Sequence, residues 1–287
     1  MRMLPINFPQ TFMPERALIS IILEFAAKNG QGSKTEIRDL TGIPSGESTG
    51  KVEPIIHFAN GMGLLSAHVK SGKWQLGLSP LGLTVFQEDC RLSEPQTLWL
   101  LHLMLCRRVD DRTPAIGIAD AWFALFAEWG FSLGKTFKLD DFIHLLTERH
   151  GSKTYTRSLA SVVVRSYLVE SCSGSIGVLK QIGIKSENTF ERCAAPSTQS
   201  YYPVYAAYLY IIWDDLFATE KQIDLNRLAA ESRMFSIMSW QDADITRWLE
   251  WMVDKGVIQL DRYTGTAMLL RLASTEQLVR AIYSELL

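Results

Sequence analysis

The order of elements between Pro14 and Phe86 constrains this 287-residue chain more than any other feature. Its pattern predicts an amphipathic helix, a short helix, a Gly/Pro-marked turn, a third helix and a hairpin. The first helix, Glu15 to Asn29, places Leu18, Ile19, Ile22, Leu23 and Ala26 on one stripe, the recurrence of a half-buried helix. Gly30 and Gly32 stop it. Ser33 is placed to cap a short helix over 34–40, with Glu36 at its third position, the arrangement of a capping box. Thr41-Gly42-Ile43-Pro44 forms the turn. The third helix starts near Ser48 and Thr49 and runs through Val52, Ile55, Ile56, Ala59 and Met62. Gly63-Leu64-Leu65 then leads into two strands around Lys70-Ser71-Gly72-Lys73.

Such an order is that of a winged helix-turn-helix, whose third helix enters a DNA major groove while the basic hairpin lies on phosphates. Candidate DNA-binding residues in this part are Lys34, Ser48, Thr49, Lys51, His57, Lys70 and Lys73. Hydroxyls and a lysine at a helix N-terminus suit phosphate contact; Ser48 and Thr49 serve equally well as caps. Residues 1–80 carry 8 Lys+Arg against 6 Asp+Glu, a slight basic excess. Winged helices also dock to proteins, so charge alone does not choose between the two uses.

Downstream, the chain divides at 87–202 and 203–287. The first of these is expected to be a helical core region. Pro95 fits the first turn of a helix that continues to Leu105 apolar nearly all round, and Ala119 to Trp129 predicts another with an aromatic face. Those aromatics could stack on bases, but core packing is the commoner use. Asp140 is placed to cap a helix carrying Phe142, Ile143, Leu145 and Leu146, and a further helix is expected over 158–168. Arg149, Lys153, Arg157 and Arg165 form a small basic cluster, a second DNA-binding candidate or simply a solvated face. Residues 171–200 read as loops and short strands. The last part repeats the opening order: a long helix over 204–217, a short one over 225–230, a third over 242–255, then Gly256-Val257-Ile258 in the role of Gly63-Leu64-Leu65. With 8 Lys+Arg against 12 Asp+Glu it suits protein docking, or pairing with a second copy, better than phosphate. The fold class expected is therefore mainly α with small β-hairpin wings.

A 47% hydrophobic content supports a large core, and a net charge of −2 requires any nucleic-acid patch to be local. No signal-peptide pattern and no membrane-length apolar run occurs, so a cytoplasmic protein without membrane contact is expected. Cys90, Cys106, Cys172 and Cys193 are scattered and read as free thiols. Gly46-Glu47-Ser48-Thr49-Gly50-Lys51 imitates a phosphate loop, but its glycines are one residue too close and Val52 stands where Ser or Thr is required. Acidic pairs occur at Glu88/Asp89, Asp110/Asp111, Asp140/Asp141 and Asp214/Asp215. Paired carboxylates can hold Mg²⁺ or Mn²⁺ for phosphodiester cleavage, although most such pairs cap helices or sit in solvent. Asp89 and Glu94 stand out because an apolar helix follows them, and they are the catalytic candidates. No organic cofactor is expected.

Phe8 to Arg16, Glu88 to His102 and Ala121 to Phe126 resemble an SspB-like bacterial family, long catalogued as a domain of unknown function and found in DNA phosphorothioation gene clusters. The Thr97-Leu98-Trp99-Leu100-Leu101-His102 core carries most of the likeness. The resemblance implies a nicking endonuclease subunit acting on double-stranded DNA in an anti-phage modification system, beside ATPase and sulfur-transfer subunits. The alternative is a non-enzymatic winged-helix adaptor or a transcriptional regulator of the same cluster. Pro9-Gln10 replaces the family's His-Glu, so no role of that pair transfers.

Overall fold

A computed structural model describes residues 3–45, 50–183, 188–261 and 267–284. Fourteen helices and nine strands build one continuous hydrophobic core among these residues. The first part contains α1 (Arg16–Ala27), β1 (Gln31–Gly32), α2 (Lys34–Thr41), α3 (Val52–Gly61), β2 (Leu65–Lys70), β3 (Lys73–Leu78) and α4 (Pro80–Glu88). Ser33 and Glu36 close the expected capping box on α2, and Gly42 ends it in the left-handed region at φ 72°.

The middle part holds α5 (Pro95–Cys106), α6 (Asp120–Phe126), α7 (Trp129–Ser132), β4 (Thr136–Lys138), α8 (Leu139–His150), α9 (Thr156–Arg165), β5 (Leu179–Ile182) and β6 (Thr189–Arg192). The last part holds α10 (Tyr202–Leu216), β7 (Gln222–Asp224), α11 (Leu225–Ser232), α12 (Met234–Met238), α13 (Asp242–Asp254), β8 (Ile258–Asp261), β9 (Met268–Arg271) and α14 (Thr275–Arg280). α5 is buried from Gln96 to Cys106 and packs against α3, α6, α10 and α12, joining all three parts. A helix apolar all round demands such a position.

Each part carries a three-stranded antiparallel sheet in which the first strand pairs with the third: β1-β3-β2, β4-β6-β5 and β7-β9-β8. The middle part, expected to be helical, therefore contains a third sheet of the same order. The likeness extends to single bonds. Gly63, Gly177 and Gly256 all turn with positive φ (75°, 61° and 66°) just before the second strand, a conformation glycine adopts without strain. The next residue's carbonyl then accepts from the strand partner: Ser79 N–H to Leu64 O, Cys193 N–H to Val178 O, Leu272 N–H to Val257 O. In chain order α3, α9 and α13 are the helices that precede these glycines; α3 and α13 run almost to them, whereas a further turn, Gly174–Ile176, stands between α9 and Gly177.

Candidate nucleic-acid interface

Of those three helices, α3 is the one the sequence offered for DNA contact, and it is covered. Val52, Pro54, Ile55, Ile56, Phe58 and Ala59 are buried. Phe8, from the segment ahead of α1, sets its ring 4.8 Å from Phe58 and 6.0 Å from His57. Trp74 meets the other side of His57 at 5.4 Å. Burial lowers the His57 pKa below its ordinary value, which leaves a neutral ring wedged between aromatics. The basic residues around α3 are ion-paired as well, Lys51 with a half-buried carboxylate and Lys34 and Lys73 through exposed ammonium groups. Lys51 binds Glu15 at 2.6 Å, Lys34 pairs with Glu53, and Lys73 binds Glu36 at 2.8 Å. The Lys73 hydrogen bond, with those from Ser33, holds the Glu36 carboxyl at about 2. Lys70 is exposed and has no ion pair among the described residues. Ser48 and Thr49 lie outside the described residues.

α9 is different. Its inner face, Leu159, Ala160, Val162, Val163 and Val164, is buried, whereas Arg157 and Arg165 are exposed and Ser158 and Ser161 half-buried. Lys153 and Thr154, in the exposed loop ahead of the helix, continue that row. Positions 153, 157, 161 and 165 recur every four residues, so the helical part of the row runs along one face. From Arg157 to Arg165 the helix advances about 12 Å. Lys153 and Arg165 have no ion pair among the described residues, and Arg157 meets only Asp140 at 3.1 Å, with side-chain exposures of 72% and 79%. Such an exposed pair is worth little and exchanges readily for a phosphate.

Arg149, grouped with these residues in the sequence, is not part of the row. Its guanidinium binds Asp120, Glu128 Oε2 at 2.6 Å and the Ala115 carbonyl at 2.6 Å, and lies over the Phe123 ring. His150 Nε2 stands 3.0 Å from Asp120 Oδ2. Burial alone would raise the Asp120 pKa; the bonds from His150 and Arg149 outweigh it and hold it at about 2. Arg149 is neutralised, and its task is to fix the end of α8 two residues before Gly151 opens the loop to α9. Neither acidic partner was recognisable as such in the sequence.

The catalytic candidates are placed plainly. The Asp89 carboxylate accepts from Ser93 N–H at 2.9 Å, Ser93 Oγ–H at 3.0 Å and Glu94 N–H at 3.0 Å. It therefore ties the α4–α5 turn, and Glu94 is the N-cap residue of α5 without a side-chain cap bond. The other acidic pairs are split between partners: Asp110 pairs with Arg112, Asp140 with Arg157, Asp214 with Arg271 and Asp215 with Arg107. Among the described residues no group of three or more His, Cys, Asp or Glu side chains could hold a metal ion. The four cysteines are free, and no described helix is long and apolar enough to cross a membrane.

No family model matches the chain, and no curated protein matches it. Solved structures do. A magnesium ion-bound SspB crystal structure superposes with a TM-score of 0.74 at 17% identity, covering 98% of this chain and 87% of that one. A second SspB crystal structure gives 0.72 with the same identity and coverage. At this identity the likeness is one of fold, and along nearly its whole length the chain is folded as SspB is.

Proposed function

We propose that this chain is a DNA-binding component of an Ssp-type DNA phosphorothioation and anti-phage defence system. It acts in the cytoplasm beside ATPase and sulfur-transfer partners, and its three sheet-bearing parts are winged-helix units. The observation that carries this is a row formed by exposed Lys153 just ahead of α9 and by exposed Arg157, half-buried Ser161 and exposed Arg165 on it, α9 being by chain order the counterpart of the groove-entering helix of such a unit. Cations and hydroxyls on one exposed face match the phosphate oxygens along a groove edge. The SspB fold supports the setting. Anisotropy titration of a labelled duplex tests it: wild type should bind with a steep salt dependence, and a Lys153→Gln/Arg157→Gln/Arg165→Gln variant should lose most of that binding. Equal binding by the variant rejects α9 as the contact.

A nicking activity is the second reading, favoured by the description of one structural neighbour as magnesium ion-bound. Supercoiled plasmid incubated with Mg²⁺ or Mn²⁺ decides it. Open-circular product that tracks with the purified chain supports a nickase, and DNA shifts without product leave a non-enzymatic adaptor or regulator.

A further inference from the structure

α13 precedes the second strand of its sheet in chain order, as α9 does in the middle part, yet it presents the opposite charge. Asp242, Glu250 and Asp254 are exposed along the row 242, 246, 250, 254, with Thr246 between them, and none has an ion pair among the described residues. Asp244, one step off the row, is paired with Arg247 at 2.6 Å. A carboxylate row in this position repels a phosphate backbone. Beside it, α11, α13 and Leu260 of β8 border a cleft of about 300 Å³. Its apolar lining includes Ala229, Ile245, Leu249 and Leu260, and the exposed Asp242 and Thr246 stand at its edge. Ile245, Leu260 and Ala229 are only half-buried. An acidic helix bordering an apolar cleft is a surface waiting for a complement.

We infer that this face is a docking groove for a partner protein's segment that carries an apolar anchor flanked by Lys or Arg. The anchor enters the cleft between α11 and α13, and the flanking cations meet Asp242 and Glu250. Charge complementarity selects that occupant: DNA is repelled by the row, and an acidic segment is repelled with it. The inference does not depend on DNA binding by α9. The two faces would let the chain hold DNA on its middle part and a protein on its last part.

The test uses the full chain and a synthetic helical peptide with leucines on one face and lysines on the other, beside a control with glutamates for the lysines. Calorimetry and amide exchange are read together. The lysine peptide should bind and slow exchange in α13 and β8, the glutamate peptide should not, and Asp242→Lys/Glu250→Lys should weaken the lysine peptide about tenfold or more. Both substituted positions are exposed, and unchanged exchange of α5 verifies that the variant is folded. Equal binding by the variant, or protection outside α11, α13 and β8–β9, overturns the inference. So does a DNA duplex that protects α13, or sedimentation in which the wild type self-associates and the variant is monomeric.

Discussion

Arg149 holds Asp120 through two guanidinium nitrogens, Nε at 2.5 Å from Oδ2 and Nη2 at 2.8 Å from Oδ1. The carboxylate belongs to the first turn of α6, deep in the core, and the guanidinium to the last turn of α8. The pair therefore locks the helix leading into α9 to the central scaffold. Planar bidentate contact fixes orientation as well as distance, so the exposed basic row is presented by a rigid mount.

The Asp120 carboxyl, with its side chain 2% exposed, should make stability depend on acid. Its folded pKa is depressed from the ordinary 3.8 to about 2. A depressed value means that the folded state binds its proton less readily than the unfolded chain does. The contribution is thus complete above about pH 4 and is lost as pH falls through about 2. Asp120→Asn should cost about 3 kcal/mol near neutrality, and the gap from wild type should shrink by on the order of 1–2 kcal/mol in strong acid. Urea unfolding of both proteins at neutral and acidic pH reads this directly. A gap independent of pH would remove the linkage.

Arg149→Lys separates positioning from contact. Lysine keeps the charge but cannot reach Asp120, Glu128 and the Ala115 carbonyl together. DNA affinity should fall severalfold while the slope of log K against log salt stays unchanged, because every phosphate keeps its cation. Amide exchange over 151–155 should quicken even without DNA. A slope reduced by about 0.9 would instead place Arg149 on a phosphate.

Arg107 marks the junction of all three parts. Its side chain is fully buried; Nη1 donates to Gly61 O at 2.8 Å and to Met104 O at 2.6 Å, and Nε lies 3.5 Å from Asp215. Arg107→Met should destabilise the chain by about 3 kcal/mol, since two carbonyls and a carboxylate lose their cation together. Thermal unfolding should remain a single transition at lower temperature. A change under about 0.5 kcal/mol would mean that the junction is held by apolar packing alone.

How far the sequence revealed this arrangement follows from the range of the forces involved. The Ser33–Glu36 capping box spans three residues and could be read directly, as could the equivalence of Gly63 and Gly256. Short strands were expected over 171–200, where β5 and β6 lie, but their sheet was hidden because its first strand, β4, pairs Thr136 with Glu191, far beyond the reach of a local pattern. The cover over α3 was hidden for another reason. Phe8 reaches Phe58 across fifty positions, and no local pattern announces such a contact. The basic cluster at 149–165 was legible as charge, but Arg149 differs from Arg157 through partners 21 to 34 positions away, Glu128, Asp120 and the Ala115 carbonyl.

Asp89→Ala should act on stability, not chemistry. The substitution strips the acceptor from Ser93 N–H, Ser93 Oγ–H and Glu94 N–H at the entrance to α5. A loss of about 2 kcal/mol is expected, measured by chemical denaturation. DNA binding below the unfolding transition should be unchanged. Loss of a metal-dependent nicking activity by folded Asp89→Ala would return this carboxylate to the catalytic role.

The sharpest comparison sets α9 against α3: Lys51, at the N-cap of α3, faces the half-buried Glu15, whereas on α9 Arg157 meets only the exposed Asp140 and Arg165 has no ion pair among the described residues. Single neutralisations at Lys153, Arg157 and Arg165 should each weaken duplex binding and reduce the salt slope by about 0.9 for every phosphate left without its cation. Lys51→Gln should leave affinity within about twofold, because its ammonium group already faces the half-buried Glu15. Lys70→Gln tests the hairpin separately, since its cation is exposed. If Lys51→Gln reduces the slope as much as Arg157→Gln does, the segment carrying Phe8 must move off α3 when DNA binds. That movement would show as faster amide exchange in residues 3–12 of the complex, and without it the groove helix is α9.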